Sequence, residues 1–372
     1  MSKKEFACEV LTPLFLGGAD MQRPELRAPS IRGAMRYWYR ALVGGTLDSS
    51  LDSLHQIESA IFGSAENGGP LSSQLRTKGK PLPVSYQKSP PVGKNQPAGI
   101  DYLLWSVALA KRPYLMPGEK FDFLLRTHLN ENALRHGEIA FWLLTNLGAL
   151  GARANRGAGS FQAVSGASEM DFSIASTPDE LKQQLEKGLE MCRNILGGTW
   201  VNFGKTAPEF DVFHPDYCRV SIVADQSNGW ETYKDALNAI GRHFANYRTH
   251  INPLGKSDHD AVLEWFKSSG KARPDLKRPV FGLPLAFRYT NGPQDEIRSG
   301  QGDRRGSPLH IHITRLKTGR YVGLLTLFKS QFLPSGIKLK LKNHGWEAPP
   351  PTDYTIVEKF MDTFPVHEGV TL

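Results

Sequence analysis

A chain of 372 residues with 40% hydrophobic and 22% charged residues has the make-up of a globular protein and the length of about two domains. Its net charge of +8 and pI near 9.3 favour a polyanionic partner, while Cys8, Cys192 and Cys218, odd in number and without a C-x-x-C pair, argue against a disulfide framework or zinc finger. The start, Met1 to Phe6, lacks the apolar core of a signal peptide, and no run reaches the roughly 20 apolar residues of a membrane span, so a cytoplasmic protein with reduced thiols is expected.

Phe6 to Leu11 alternates as a first strand, followed by a loop from Gly17 to Pro29. Ser30 is placed to cap the next helix, whose apolar face is Ile31, Ala34, Met35, Trp38, Ala41 and Leu42. Arg32, Arg36 and Arg40 rise along the other side, with Gly33 among them, and no acid lies between Leu26 and Thr46. These guanidinium groups must find distant acids, stand in water or meet an anion.

Leu51 to Phe62 reads as a short helix, and Gly63 to Gly99 as a loop rich in glycine, lysine and proline with a strand at Leu82 to Tyr86. Ile100 to Ala110 and Lys120 to His128 read as two strands. Asn130 caps a helix bearing Ala133, Leu134, Phe141, Trp142, Leu144 and Leu147, which ends at Gly148. From Gly148 to Phe161 the chain holds Gly148, Gly151, Gly157 and Gly159, and its only charges are Arg153 and Arg156. Glycine lets backbone N–H groups line a phosphate and a guanidinium grips two of its oxygens, so the loop reads as an anion cradle; a flexible loop with solvated arginines is the alternative. With a strand at Ser160 to Val164, the order is β-α-β-β-α-β, the ferredoxin-like arrangement.

Gly166 to Ser176 turns small and polar, a boundary between domains 1–170 and 171–372. Thr177-Pro178-Asp179-Glu180 starts a helix with Leu181, Leu185, Leu189, Cys192 and Leu196 as its buried stripe. A second round follows: strand Tyr217 to Val223, helix Trp230 to Tyr247, strand Val280 to Tyr289, a hairpin of Leu309 to Leu316 and Tyr321 to Phe328, and a helix at Tyr354 to Phe364. Basic stretches lie at Lys271 to Arg278 and Asp303 to Pro308. His310 and His312 share a strand face but lack a third ligand, and no Walker or G-x-G-x-x-G motif is present, so neither metal nor nucleotide cofactor is expected.

Leu14-Phe-Leu-Gly-Gly-Ala-Asp20, Ser30-Ile-Arg-Gly-Ala-Met-Arg-Tyr-Trp-Tyr-Arg40 and Leu150-Gly-Ala-Arg-Ala-Asn-Arg-Gly-Ala-Gly159 together resemble the RAMP superfamily of CRISPR systems. They are most similar to the first RAMP subunit of the type III-B (Cmr) effector complex, and Arg305-Gly-Ser-Pro-Leu309 with Gln331-Phe-Leu-Pro334 fits its C-terminal half. The resemblance implies an α+β fold of two tandem ferredoxin-like (RRM-like) domains with insertions, the second carrying a helical insertion. It implies a non-catalytic subunit near the guide 3′ end, with CRISPR RNA, target RNA and other RAMP subunits as partners and no membrane contact. Arg27, Arg32, Arg36, Arg40, Gly151, Arg153, Asn155, Arg156, Gly157, Arg304 and Arg305 would then face RNA, with Tyr37 or Tyr39 stacking on a base. The alternative is a RAMP-type endoribonuclease, for which His55, His128, His136 and Asp20 are the candidates.

Overall fold

The structure, a computed structural model, describes residues 2–20, 22–77, 84–90, 98–128, 130–164, 168–225, 228–250, 257–271, 274–289, 292–302 and 304–372. It is an α+β chain whose described residues include three four-stranded antiparallel sheets. The three cysteines are free and buried. No described helix is long and apolar enough to cross a membrane.

Strand β1 (Ser2–Val10) buries Phe6, Cys8 and Val10 on one side, as its alternation requires. It is followed by α1 (Ala28–Thr46), α2 (Leu51–Phe62), β2 (Ser72–Thr77), β3 (Val84–Ser85), α3 (Gly99–Leu103), α4 (Trp105–Leu109), β4 (Pro113–Tyr114), β5 (Lys120–Thr127), α5 (Glu131–Leu147) and β6 (Phe161–Val164). The first sheet has the order β2-β5-β1-β6, with Phe6 opposite Phe123 and Val10 opposite Phe161. Helix α1 buries Ile31, Met35, Trp38, Ala41 and Leu42, and also Tyr39. It begins two residues before Ser30: Arg27 is the N-cap, no side chain caps it, and Pro29 sits in the first turn.

One strand expectation in this half is corrected. Ile100 to Ala110 is helical, because its buried residues Ile100, Leu103, Leu104, Val107 and Ala108 recur with the helical period. Helix α3 then meets α7 (Tyr233–His250) at a glycine crossing, where a Cβ on Gly99 would lie 2.1 Å from the Asn238 carbonyl oxygen and one on Gly241 2.0 Å from that of Gly99. The missing strand is β2, whose residues are exposed or half-buried on both faces and so show no apolar alternation. Of the strand expected at Leu82 to Tyr86, the described part is the two-residue β3, paired with β4; Leu82 and Pro83 lie outside the described residues.

The second half runs through α6 (Pro178–Leu196), β7 (Cys218–Ala224), α7, α8 (Asp258–Lys267), β8 (Leu285–Arg288), β9 (Gln294–Ser299), β10 (Leu309–Arg315), β11 (Tyr321–Phe328), β12 (Leu339–Leu341), β13 (Glu347–Ala348), α9 (Thr355–Met361) and β14 (Val366–Val370). Its main sheet, β10-β11-β7-β14, repeats the strand order of the first, and β7, α7, β10, β11, α9 and β14 repeat its element order. The expected strand at Val280 to Tyr289 is instead a 3-10 turn at Arg278–Phe281 followed by β8. That strand joins a third sheet, β13-β12-β9-β8, whose own core of Val262, Phe287, Ile297, Leu339, Leu341 and Trp346 draws Val262 from α8.

One apolar cluster extends from Phe6 through Trp142, Leu185 and Phe328 to Val370, so the core continues across residue 170. Helix α6 begins at Thr177 as its cap sequence indicates and crosses α5 at Gly188, where a Cβ would sit 2.1 Å from Trp142. Polar ties also join the halves. The Arg315 guanidinium grips the Glu9 carboxylate with two bonds of 2.8 and 2.7 Å, and His312 Nδ1 lies 2.5 Å from the Gly148 carbonyl oxygen.

Candidate functional site

The polar side of α1 turns Arg36, Tyr37 and Arg40 into an open cleft of about 600 Å³ walled by Leu54, His55 and Glu58 of α2 and by Asp211, Arg305 and Phe332 of the second half. An adjoining hollow shares Tyr37, Asp211 and Arg305 and continues to Gly148, Asn155 and Ser307. The fold thus gathers Arg36 and Arg40 of α1, Asn155 and Arg305, from three distant parts of the chain, around one pair of hollows.

Most of these charges already have partners. The stripe on α1 meets an acid from α2: Glu58, only 3% exposed, bonds Arg36 Nε through one oxygen and Arg40 Nη1 at 2.8 Å through the other. Arg32 donates to the Phe62 carbonyl at the C-terminal end of α2, where the helix dipole favours a cation, and burial with the nearby Arg36 lowers its pKa. The stripe is therefore no free row of cations, although the Arg40 side chain stays 43% exposed. Arg305 donates to the Phe332 carbonyl at 2.9 Å, Ser330 Oγ at 3.1 Å and Asp211 Oδ1 at 3.3 Å, while Tyr37 donates to Asp211 Oδ2 at 2.7 Å. Arg36, Arg40 and Arg305 face Glu58, Glu209 and Asp211, so the main cleft is nearly charge-balanced.

The glycine-rich loop departs further from the expected anion cradle. Arg156 is buried, donating to the Phe281 carbonyl and Ser307 Oγ at 2.8 Å each, with its guanidinium 4.8 Å from the centre of the Phe244 ring. Burial drives its pKa down, helped by Arg153 and Arg248. Arg153, in the left-handed region at φ 64°, sends Nε to the Leu103 carbonyl at 2.7 Å; burial lowers its pKa to about 10. Asn155 Nδ2 bonds the Ser307 carbonyl at 3.2 Å. Both arginines thus fasten the loop to α3 and the second half, and the described contacts commit neither to an anion. The glycines answer to packing. At Gly159 (φ 70°) a Cβ would lie 1.9 Å from the Leu150 carbonyl oxygen, and at the exposed Gly151 (φ 82°) 2.4 Å from that of Phe15. Gly157 likewise abuts Leu237.

Arg27 and Arg304 are exposed, and neither guanidinium has a partner among the described residues; Asp303 lies outside them. Tyr39 is fully buried with its hydroxyl 2.6 Å from His136 Nδ1, which corrects its reading as a base-stacking ring. Tyr37 packs against His310 beside the cleft.

The nuclease candidates each have their own surroundings. His55 is exposed on the cleft wall, His128 is exposed at the end of β5, and His136 is held by Tyr39, its pKa lowered by burial. Asp20 accepts the Gln22 N–H at 2.9 Å, turning its own loop. His310 and His312 do share an inward face of β10, and burial pushes both down to about 4. No cluster of three or more potential metal ligands occurs among the described residues. Sequence reasoning passed over Glu58, Asp211, Ser307 and Ser330. Glu58 alone left a signal: it sits between Leu54 and Ile61 on the buried stripe of α2, where an acid requires a partner.

The model of the RAMP superfamily matches residues 7–162. CRISPR system Cmr subunit Cmr1-1 of Pyrococcus furiosus is 26% identical over 343 residues, 89% of each chain. Subunit Cmr1-2 of the same organism is 31% identical over 174 residues, covering 42% of this chain and 92% of that one. The fold is similar to the crystal structure of Cmr1 from Pyrococcus furiosus in its apo form, with TM-score 0.61 and 21% identity, covering 100% of this chain and 99% of the other. A chain of the type III-B Cmr-beta complex bound to cognate target RNA also matches, with TM-score 0.53 and 12% identity over 96% of this chain and 99% of that one. Two such relatives, one spanning nearly the whole chain, place it: the chain belongs to the RAMP superfamily, among the Cmr1 subunits of type III-B CRISPR systems.

Proposed function

We propose that this chain is a non-catalytic RNA-binding subunit of a cytoplasmic type III-B effector complex, holding guide and target RNA near the guide 3′ end beside other RAMP subunits. Its kinship with Cmr1-1 over 89% of both chains carries the reading. The repeated strand and element order supports two tandem ferredoxin-like units, 1–170 and 171–372, with the third sheet and α8 as insertions in the second. Arg36, Arg40, Asn155 and Arg305 line the RNA path, and Arg27 and Arg304, without partners among the described residues, reach phosphates. Arg32, Gly151, Arg153, Arg156 and Gly157 serve it from behind, by fixing the walls. Such contacts position a backbone while base pairing between guide and target reads sequence.

The test is whether RNA of guide length co-purifies with the assembled subunits, together with fluorescence anisotropy of the full chain across salt. The expected result is intact RNA with and without Mg²⁺, and a salt slope that falls in R27A/R40A by about 0.7 or less for each phosphate no longer neutralised. Metal-independent cleavage abolished by H55A would replace this reading with an endoribonuclease. No RNA affinity at any salt, alone or assembled, would leave a protein scaffold.

A further inference from the structure

The outer face of the α3–α4 pair plays no part in the cleft, and its charge is unbalanced. Trp105 and Leu109, one helical turn apart on α4, are 46% and 58% exposed, and Trp105 is the one exposed aromatic among the described residues. Lys88 Nζ lies 5.1 Å from the centre of its indole ring. Lys111 and Arg112 follow directly, and none of the three cations has a carboxylate partner among the described residues. The described residues between 84 and 118 hold these three cations and a single acid, Asp101. That acid is 3% exposed and spent internally, accepting from the Tyr86 hydroxyl at 2.9 Å and the Ser89 N–H at 2.8 Å.

The ring stands on a rigid base. Val107 and Ala108 anchor α4 in the core, α3 is locked on α7 by the Gly99–Gly241 crossing, and Arg153 ties down the Leu103 carbonyl. An exposed indole on an anchored helix, among cations without a carboxylate partner among the described residues, suits a polyanion that offers bare aromatic faces. Single-stranded RNA does so, whereas a duplex hides its base faces. An acidic peptide would satisfy the cations and leave the indole without a partner.

We propose that Trp105 is a stacking platform for an unpaired base of single-stranded RNA, with Lys88, Lys111 and Arg112 meeting the adjoining phosphates, a contact separate from the cleft. The proposal rests on the RNA-binding reading above. It is tested on the full chain and on the assembled complex by anisotropy with labelled single-stranded oligoadenylate and with duplex RNA of equal length. W105A should weaken single-strand binding by roughly 5- to 100-fold, the usual worth of one stacked base, and leave duplex binding within about twofold. W105F should recover most of the loss, and K111A/R112A should lower the salt slope by about 0.7 for each phosphate left unneutralised. A melting temperature close to that of wild type is expected for W105A, since Val107 and Ala108 anchor α4 and nearly half of Trp105 is in solvent. Unaltered single-strand affinity in W105A, with the wild type binding, overturns the platform and leaves the RNA-binding reading standing. So does loss of a partner subunit from W105A with RNA affinity intact, which would make the face a protein contact. Failure of the wild type, alone and assembled, to bind the oligonucleotide overturns both.

Discussion

Arg156 separates an anion cradle from a structural loop most sharply. Truncation to alanine strips the Phe281 carbonyl of its one hydrogen-bond donor among the described residues, whereas Leu309 keeps the Ser307 hydroxyl at 2.9 Å. One orphaned buried acceptor costs about 1–3 kcal/mol, and removal of the stacking over Phe244 adds about 0.5–2. R156A should therefore destabilise the chain by about 2–5 kcal/mol, read as a lower urea midpoint at unchanged m-value. R156K should recover little, because an ammonium cannot span acceptors that the planar fork reaches together. The salt slope for RNA should not move in either variant under conditions where they stay folded. A midpoint equal to wild type combined with a slope smaller by about 0.7 would refute the structural role and restore the phosphate contact.

Three further outcomes follow from the same geometry. E58Q should release Arg36 and Arg40 toward the cleft, raising RNA affinity at low salt and steepening the slope by up to about 1.4, while costing about 1–3 kcal/mol of stability; unchanged affinity in a folded variant would show that the two arginines do not meet RNA. Gly33 lies exposed in α1 with nothing within 4 Å of a built Cβ, so G33A should stabilise by about 0.5–1 kcal/mol, and a fall in RNA affinity with that gain would show that backbone approach at Gly33 matters. Burial, opposed for His310 by Asp211 and reinforced by Arg156 and Arg305, puts both buried β10 histidines near 4 against an ordinary 6.5. The unfolded state then binds more protons, so stability held above pH 6.5 is lost as pH falls toward 4, by up to roughly 3 kcal/mol per histidine. The urea midpoint of wild type should drop more steeply over that window than that of H310Q/H312Q, and parallel curves would refute it.

How much the sequence disclosed depended on the range of the interaction involved. Period and cap chemistry act within one turn, so α1, α5, α6 and the β10–β11 hairpin stood close to where they were read. Ile100 to Ala110 is apolar at most positions, so its sequence does not mark which residues are buried; the helical spacing of Ile100, Leu103, Leu104, Val107 and Ala108 emerges only once α3 packs on α7. Strand β2 carries no apolar side to find, since β5 pairs it through the backbone. The partners of the arginines are hidden for a different reason. The arginine spacing was legible, but the groups that consume them, Glu58, Leu103, Phe281 and Ser307, include three backbone carbonyls or loop atoms that no pattern marks.

The clasp between Arg315 and Glu9 joins residues 306 positions apart. A ribosome adding about 5–20 residues per second needs roughly 15–60 s to pass from one to the other. Throughout that interval β1 lacks its clasp, and the apolar cluster to which Phe6 belongs still awaits Phe328 and Val370. The nascent first half therefore emerges with apolar surface uncovered until β11 and β14 have been made. A chain cut short before β14 would be expected to leave the ribosome as a client for chaperones.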